Sequence, residues 1–198
     1  MPIDIFTDKK LQIFDLGNVL YSVDARLSFA ALQRLGMPAF EGPISNSHAA
    51  CGDFALYSDG KISTPQFYDA VRRVCHVQAT DAQIRDAWNA MLIGFRPDAL
   101  QQVRQLRQSG YTVVLLSNCN DLHADLVRQQ YPGPDSFDSL FDKVFFSQEI
   151  HISKPDLRAW QLVLHEMNAQ PADAAFYDDS LLNVQAAQAL GIASRQIL

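Results

Sequence analysis

Acidic, basic and hydroxyl side chains recur in this sequence at one kind of place, the end of a short apolar run. Asp15 follows Leu11–Phe14, with Gly17 two residues further on. Ser117 and Asn118 close the run Tyr111–Leu116, and Asp178-Asp179 close Ala174–Tyr177. Ser153-Lys154-Pro155 comes shortly after Lys143–Phe146. Carboxylates gathered in one place can hold a hard cation through oxygen. A lysine, a hydroxyl and free backbone N–H groups can hold an anion. Each residue alone also has a plainer reading. Asp15 could form a turn, and Asp178-Asp179 could sit at a helix N-terminus, where the dipole favours acids. Lys154 could be a solvated surface lysine with Pro155 opening a helix. Ser117 could cap the helix that follows it. The shared position at the ends of apolar runs is what sets these residues apart.

The elements that must carry them can be read from periodicity. The four runs, with Ile192–Ile197 as a fifth at an edge, are short and continuously apolar, as buried strands are. Helical patterns separate them. Pro97–Ser109 places Leu100, Val103 and Leu106 on one stripe, Pro155–Asn168 does the same with Leu157, Trp160, Leu164 and Met167, and Ser180–Leu190 is alanine-rich. Alternating strands and helices predict an α/β fold, a doubly wound parallel sheet. Ligands of such sheets bind beyond the C-terminal ends of the strands, where the polar residues stand. Residues 21–95 differ. Ala25–Leu35, Thr64–Cys75 and a stretch from Thr80 to Leu92 read as helices, the last opened by a Thr80/Gln83 capping box. The expectation is a core of residues 1–20 and 96–198, with a wholly helical cap, residues 21–95, inserted over the strand ends.

Composition narrows the function. The 198 residues are 48% hydrophobic, enough to bury a core, so disorder is excluded. A net charge of −6 argues against a nucleic-acid partner, because a phosphate backbone needs a basic face. A small phosphorylated metabolite needs only a few local donors and stays open. No apolar run approaches the about 18 residues of a membrane span, and the N-terminus does not read as a signal peptide. Cys51, Cys75 and Cys119 form no CxxC pair, so neither a disulfide framework nor a zinc knuckle is expected. A cytoplasmic protein is the expectation.

Four segments in order, Phe14-Asp15-Leu16-Gly17-Asn18-Val19-Leu20, Leu115-Leu116-Ser117-Asn118, Ser153-Lys154-Pro155 and Tyr177-Asp178-Asp179, resemble the motifs of the haloacid dehalogenase-like hydrolase superfamily. The insert after the first motif resembles the small C1-type cap of its phosphatase-rich subgroup. The segment Ser117–His123 and the turn Asp59-Gly60-Lys61-Ile62-Ser63 are similar to those of the sugar phosphatases typified by alpha-D-glucose-1-phosphate phosphatase. The resemblance implies a magnesium-dependent phosphatase in which Asp15 attacks phosphorus and forms an aspartyl-phosphate. It assigns Asp15, Asp179 and the Gly17 carbonyl as Mg2+ ligands, with Asp178 a further direct or water-mediated one. Ser117 and the Asn118 backbone N–H would hold the phosphate, and Lys154 would set its charge against the phosphate and Asp15.

One departure stands out. The superfamily's usual second aspartate, the general acid, is here Gly17, which has no side chain. The reaction then favours an easy leaving group, such as the anomeric oxygen of a sugar 1-phosphate, or another acid, for which Asp24 is the nearest candidate. Two other readings stay open: a metal-free 2-haloacid dehalogenase, and a catalytically weak binding protein on the same fold. Asn183 reads as an orienting residue for the acidic loop. His123 either reaches the site or lies on a helix surface. Phe54, Tyr57 and Phe67 read as packing rather than as a sugar platform, and Arg96 as a hinge or surface residue.

Overall fold

Strand β1 (Leu11–Phe14) is the middle of a sheet whose order is β5 (Lys143–Phe146), β4 (Thr112–Ser117), β1, β6 (Ala174–Asp178), β7 (Ala193–Gln196). Every neighbouring pair is parallel. The computed structural model describes residues 2–39 and 52–198. The chain first builds outward from β1 through β4 to β5, then returns to the other side of β1 for β6 and β7. The winding therefore reverses at β1, and in open α/β sheets the binding crevice lies at that reversal. Asp15, the residue after β1, is placed there by this topology alone.

The alternation of side chains along a strand divides the core into two layers. Leu11 and Ile13 of β1 face a cluster with Trp160, Val163 and Phe176, covered by α8 (Leu157–Glu166), which follows the short α7 (Ser147–Ile150), and by α9 (Leu181–Ala189). Phe14 faces the opposite cluster with Leu100, Val103 and Val127, under α5 (Pro97–Gln108) and α6 (Asp121–Gln130). Helices on both faces leave no apolar surface of the central strands to water, which is why these runs read as continuously hydrophobic.

The helices of the insert carry a separate apolar cluster among the described residues. It contains Leu32, Tyr57, Phe67, Val71, Ile84 and Trp88, from α1 (Ala25–Arg34), α2 (Gly52–Ser58), α3 (Thr64–Cys75) and α4 (Asp81–Asn89). Phe54, Tyr57 and Phe67 pack as aromatic pairs, Tyr57 on Phe67 at 4.2 Å and Phe54 on Trp88 at 5.6 Å. The expectation of a wholly helical insert is corrected at its base. Helix α4 stops at Asn89, and Leu92–Phe95 is strand β3, paired antiparallel with β2 (Tyr21–Val23). Gly94, within β3, takes φ 153°, a backbone that glycine adopts without strain. The insert is thus joined to the sheet by a two-stranded ribbon. Cys51 lies outside the described residues; Cys75 and Cys119 are buried free thiols.

Candidate active site

The C-terminal ends of β1, β4 and β6 meet the insert around a cavity of about 600 Å³. Asp15, Gly17, Ser117, Asn118, Lys154 and Asp179 line it, so the structure brings those sequence-derived candidates together. Asp178 completes the constellation from behind, fully buried at the end of β6. Backbone pairing fixes the geometry, because the Asp15 N–H donates to the Tyr177 carbonyl at 2.9 Å.

Lys154 is the hub. Its buried ammonium donates to Asp15 Oδ1 at 2.7 Å and to Asp178 Oδ2 at 2.5 Å. Asn118 delivers it there. The Asn118 side chain accepts from the Lys154 N–H and donates to the Lys154 carbonyl, both at 2.8 Å, and so fastens the lysine's loop to the end of β4. Asn183 Nδ2 donates to both oxygens of Asp178 at 3.1 Å, and the Ser180 N–H donates to Oδ1 at 2.8 Å. Asp178 therefore spends its oxygens on the protein, and its main effect is to hold Lys154. Ser117 is 3% exposed and does not cap the following helix; Asn120 takes that place, accepting from the His123 N–H. Among the described residues the Ser117 hydroxyl has no hydrogen-bond partner, which leaves it free for a ligand.

Carboxylate oxygens of Asp15, Asp178 and Asp179 all lie within 4.8 Å of one another. Burial pushes the Asp15 carboxyl up to about 7; Lys154 pulls it down, and Asp178 and Asp179 push it further up. Burial also raises Asp179, against the hydrogen bond from Asn18. Burial would lower the Lys154 ammonium, yet the two facing carboxylates outweigh it and raise it. Three carboxyl groups facing one ammonium leave negative charge in excess in a poorly solvated place. A hard divalent cation among oxygen donors, with no histidine or thiol in the set, is the group that balances this charge.

Asp24, the candidate substitute acid, does not line the cavity. It caps α1 by accepting from the Arg26 N–H, and its ion pair with Arg26, at 2.6 Å, holds its carboxyl below the usual range. A carboxylate so held is a poor proton donor, which corrects that expectation. The helix-surface reading of His123 is corrected too. His123 is buried, stacked on Trp88 at 5.4 Å, with Nδ1 against Asn120 and Nε2 against the Trp88 carbonyl. Burial drives its pKa down to about 4, so it is a neutral contact between core and insert. Burial likewise pushes the Cys119 thiol up to about 12, far from a reactive thiolate.

A family model for the haloacid dehalogenase-like hydrolases matches residues 9–191 of the chain. The chain belongs to this family. This hydrolase is similar to a sesquiterpene phosphatase of Aspergillus oryzae, 29% identical over 94% of this chain and 88% of the relative. It is also similar to a D-ribitol-5-phosphate phosphatase of Bacteroides thetaiotaomicron, 23% identical over 93% and 89%. Among solved structures, a haloacid dehalogenase family enzyme from Bacteroides thetaiotaomicron, in complex with magnesium and inorganic phosphate, superposes with a TM-score of 0.86. That enzyme is 29% identical, and the match covers 96% of this chain and 94% of the other.

Sequence reasoning passed over one residue of the hydrolase's site. Asn18, at φ 55°, ties four elements together. Its Nδ2 donates to Asp179 Oδ2 at 2.9 Å, and its Oδ1 accepts from the Val23 N–H of β2 at 3.0 Å. Its N–H donates to the Tyr21 carbonyl, and its carbonyl accepts from Arg96 Nη1 at 2.6 Å. The available signal was the Gly17-Asn18 pair itself, since asparagine tolerates a left-handed backbone. Arg96 is accordingly tied to the loop after β1 rather than free on the surface.

Proposed function

We propose that this hydrolase is a magnesium-dependent phosphatase, cleaving a small phosphate monoester through an aspartyl-phosphate on Asp15. The observation that carries the reading is the pinned nucleophile. Lys154 holds Asp15 Oδ1, while Oδ2 lies on the Gly17 and Val23 side of the cavity. The relatives named as phosphatases and the neighbour's magnesium and phosphate support it. Asp15, Asp179 and the Gly17 carbonyl would hold Mg2+, with Asp178 reaching it through water. When bound, the cation neutralises charge shared between the nucleophile and the phosphate.

The residues then divide the labour. Lys154 lowers the charge of Asp15 and of the incoming phosphate, the Ser117 hydroxyl and the Asn118 N–H hold phosphate oxygens, and the insert excludes bulk water. Asp15 Oδ2 attacks phosphorus as the bond from phosphorus to the alcohol oxygen breaks. Gly17 offers no proton, so the leaving alkoxide takes one from water. A water oxygen then attacks the acyl phosphate, releases inorganic phosphate with loss of a proton, and restores the Asp15 carboxylate. Positioning and charge, rather than proton transfer, carry the rate.

The division into a core, residues 1–20 and 96–198, and a cap, residues 21–95, belongs to this reading. It is supported by the separate apolar cluster of the insert and by the cavity lining, to which Ser58, Trp88 and Met91 contribute from the insert side. A cytoplasmic setting fits the cysteine usage, and no helix among the described residues is long and apolar enough to cross a membrane. For the alcohol half, the motif resemblance and the D-ribitol-5-phosphate phosphatase relative support a sugar or polyol phosphate, whereas the sesquiterpene phosphatase relative supports an apolar one. A carboxylate-bearing haloacid would meet the excess negative charge of the three aspartates with nothing to offset it, which weighs against dehalogenation.

The test is phosphate release from a panel of alkyl, aryl, polyol and sugar phosphates with magnesium, with chelator, and in Asp15→Asn. Magnesium-dependent release lost in the variant supports the reading. Halide release from a 2-haloacid without magnesium overturns it, as does ligand binding without turnover of any ester.

A further inference from the structure

Beyond the phosphate end the cavity changes character. Its walls there are Tyr21, Val23, Trp88, Met91 and Leu92, and Leu182, 68% exposed, stands on the rim beside Asp179. Several polar groups of the lining are already engaged, although the Ser58 and Ser180 hydroxyls have no hydrogen-bond partner among the described residues. Asp59 accepts from the Ser153 hydroxyl and, at 2.7 Å, from Lys61 Nζ. Asn120 and His123 bond to each other, and His123 Nε2 is turned to the Trp88 carbonyl. Beside Gly17 there is a hydrocarbon side chain. A side chain at Gly17 would begin 3.8 Å from Val23 Cγ2, so the leaving oxygen emerges against a methyl group where the family's usual acid would stand. A polyol in this space would give up water at several hydroxyls and find fewer free protein partners than it loses, which is unfavourable. An alkyl chain would only gain by the exchange.

We infer that the alcohol half of the substrate is apolar, an alkyl or alkenyl phosphate rather than a sugar or polyol phosphate. Val23, Met91 and Leu92 are the specificity-determining side chains. They belong to the ribbon strands β2 and β3 or lie next to them, so the element that joins the insert to the sheet also forms the hydrocarbon wall. Ser28 fixes that wall by donating from its hydroxyl to the Trp88 carbonyl at 2.6 Å and accepting from the Met91 N–H at 3.1 Å. The exposed Leu182 extends the apolar path outward, which accommodates a chain longer than the enclosed space. This inference rests on the phosphatase reading above.

The experiment is a homologous series of ethyl, butyl, hexyl and octyl phosphates, measured with magnesium against D-ribitol 5-phosphate, glucose 1-phosphate and glycerol phosphate. Primary alkanols of this series differ little as leaving groups, so any trend in kcat/KM reports burial. The expected rise is about fourfold for each methylene until the enclosed space is filled. Hexyl phosphate should then exceed ethyl phosphate by about 100-fold or more. Met91→Gln and Leu92→Gln, checked for folding by circular dichroism, should flatten the slope. A flat or falling series, with a polyol phosphate the best substrate, overturns the inference and leaves the phosphatase intact. Magnesium-dependent release from no ester, p-nitrophenyl phosphate included, overturns the phosphatase reading and the inference with it.

Discussion

Replacing Gly17 with aspartate should restore a proton donor where the structure leaves one out. The position has room, since a Cβ would lie 3.8 Å from both Asp15 Oδ2 and Val23 Cγ2, ordinary van der Waals contact, and the backbone is not left-handed. The new carboxyl would enter a buried site beside Asp15, whose own carboxyl burial already lifts to about 7. Desolvation would raise the newcomer too, favouring the protonated form that a general acid requires. General acid catalysis contributes about 10²–10⁴ in rate, and an untuned geometry should reach the lower end, about 10². The gain should appear with an alkyl phosphate, whose alkoxide needs a proton. It should be nearly absent with p-nitrophenyl phosphate, whose phenolate leaves unaided. The assay is kcat on both esters in wild type and Gly17→Asp, with magnesium saturating. An equal change on both esters, or none on either in a folded variant that still binds magnesium, would refute the argument that Gly17 limits leaving-group protonation.

Other outcomes follow from the same geometry. Lys154→Met removes the ammonium between Asp15 and Asp178 and leaves two buried carboxylates unpaired; a broken buried pair costs about 3–5 kcal/mol. For a chain of this size that lowers Tm by roughly 6–20 °C, alongside lost turnover, as calorimetry and phosphate release would show. Asn18→Ala frees Asp179, and loss of such a ligand-orienting hydrogen bond should weaken magnesium binding about 10- to 100-fold by calorimetric titration. His123 is held neutral, its pKa brought by burial from 6.5 to about 4. The unfolded chain therefore binds the proton first, so stability is full above about pH 6.5 and falls as the pH drops towards 4, by roughly 3 kcal/mol in all. Denaturant unfolding across that window should show a shallower slope in His123→Gln. Asp24→Asn, outside the cavity lining and paired with Arg26, should leave kcat/KM within about twofold, as surface changes do; a large loss would return Asp24 to the acid's place.

The sheet was legible because its strands are buried on both faces and so read as unbroken apolar runs ending in polar residues. Asp15, Lys154 and Asp179 could be grouped because parallel topology sends every such end to one edge. The ribbon of β2 and β3 was not legible. Tyr21–Val23 and Leu92–Phe95 are short strands whose pairing bridges about 70 residues of sequence, and no local period announces it. Thr80 and Gln83 correctly opened α4, but apolar Met91 and Leu92 seemed to continue its stripe, although they serve the cavity wall and the ribbon. His123 was left between the site and a helix surface for a related reason. Its partners Trp88 and Asn120 come from the insert and from its own cap, and only the packing of insert on core buries it. Asn18 was hidden by having four partners, none of them on a helical or strand period with it.

Covalent capture of Asp15 tests its role as nucleophile most directly. The hydrolase would be mixed with a 32P-labelled alkyl phosphate and magnesium, quenched in acid within one turnover, and digested. The expected result is label on the peptide that carries Asp15, released by hydroxylamine as an acyl phosphate is, and absent in Asp15→Asn or with chelator. Phosphate released at full rate by Asp15→Asn, with no label on that peptide in the wild type, would contradict it.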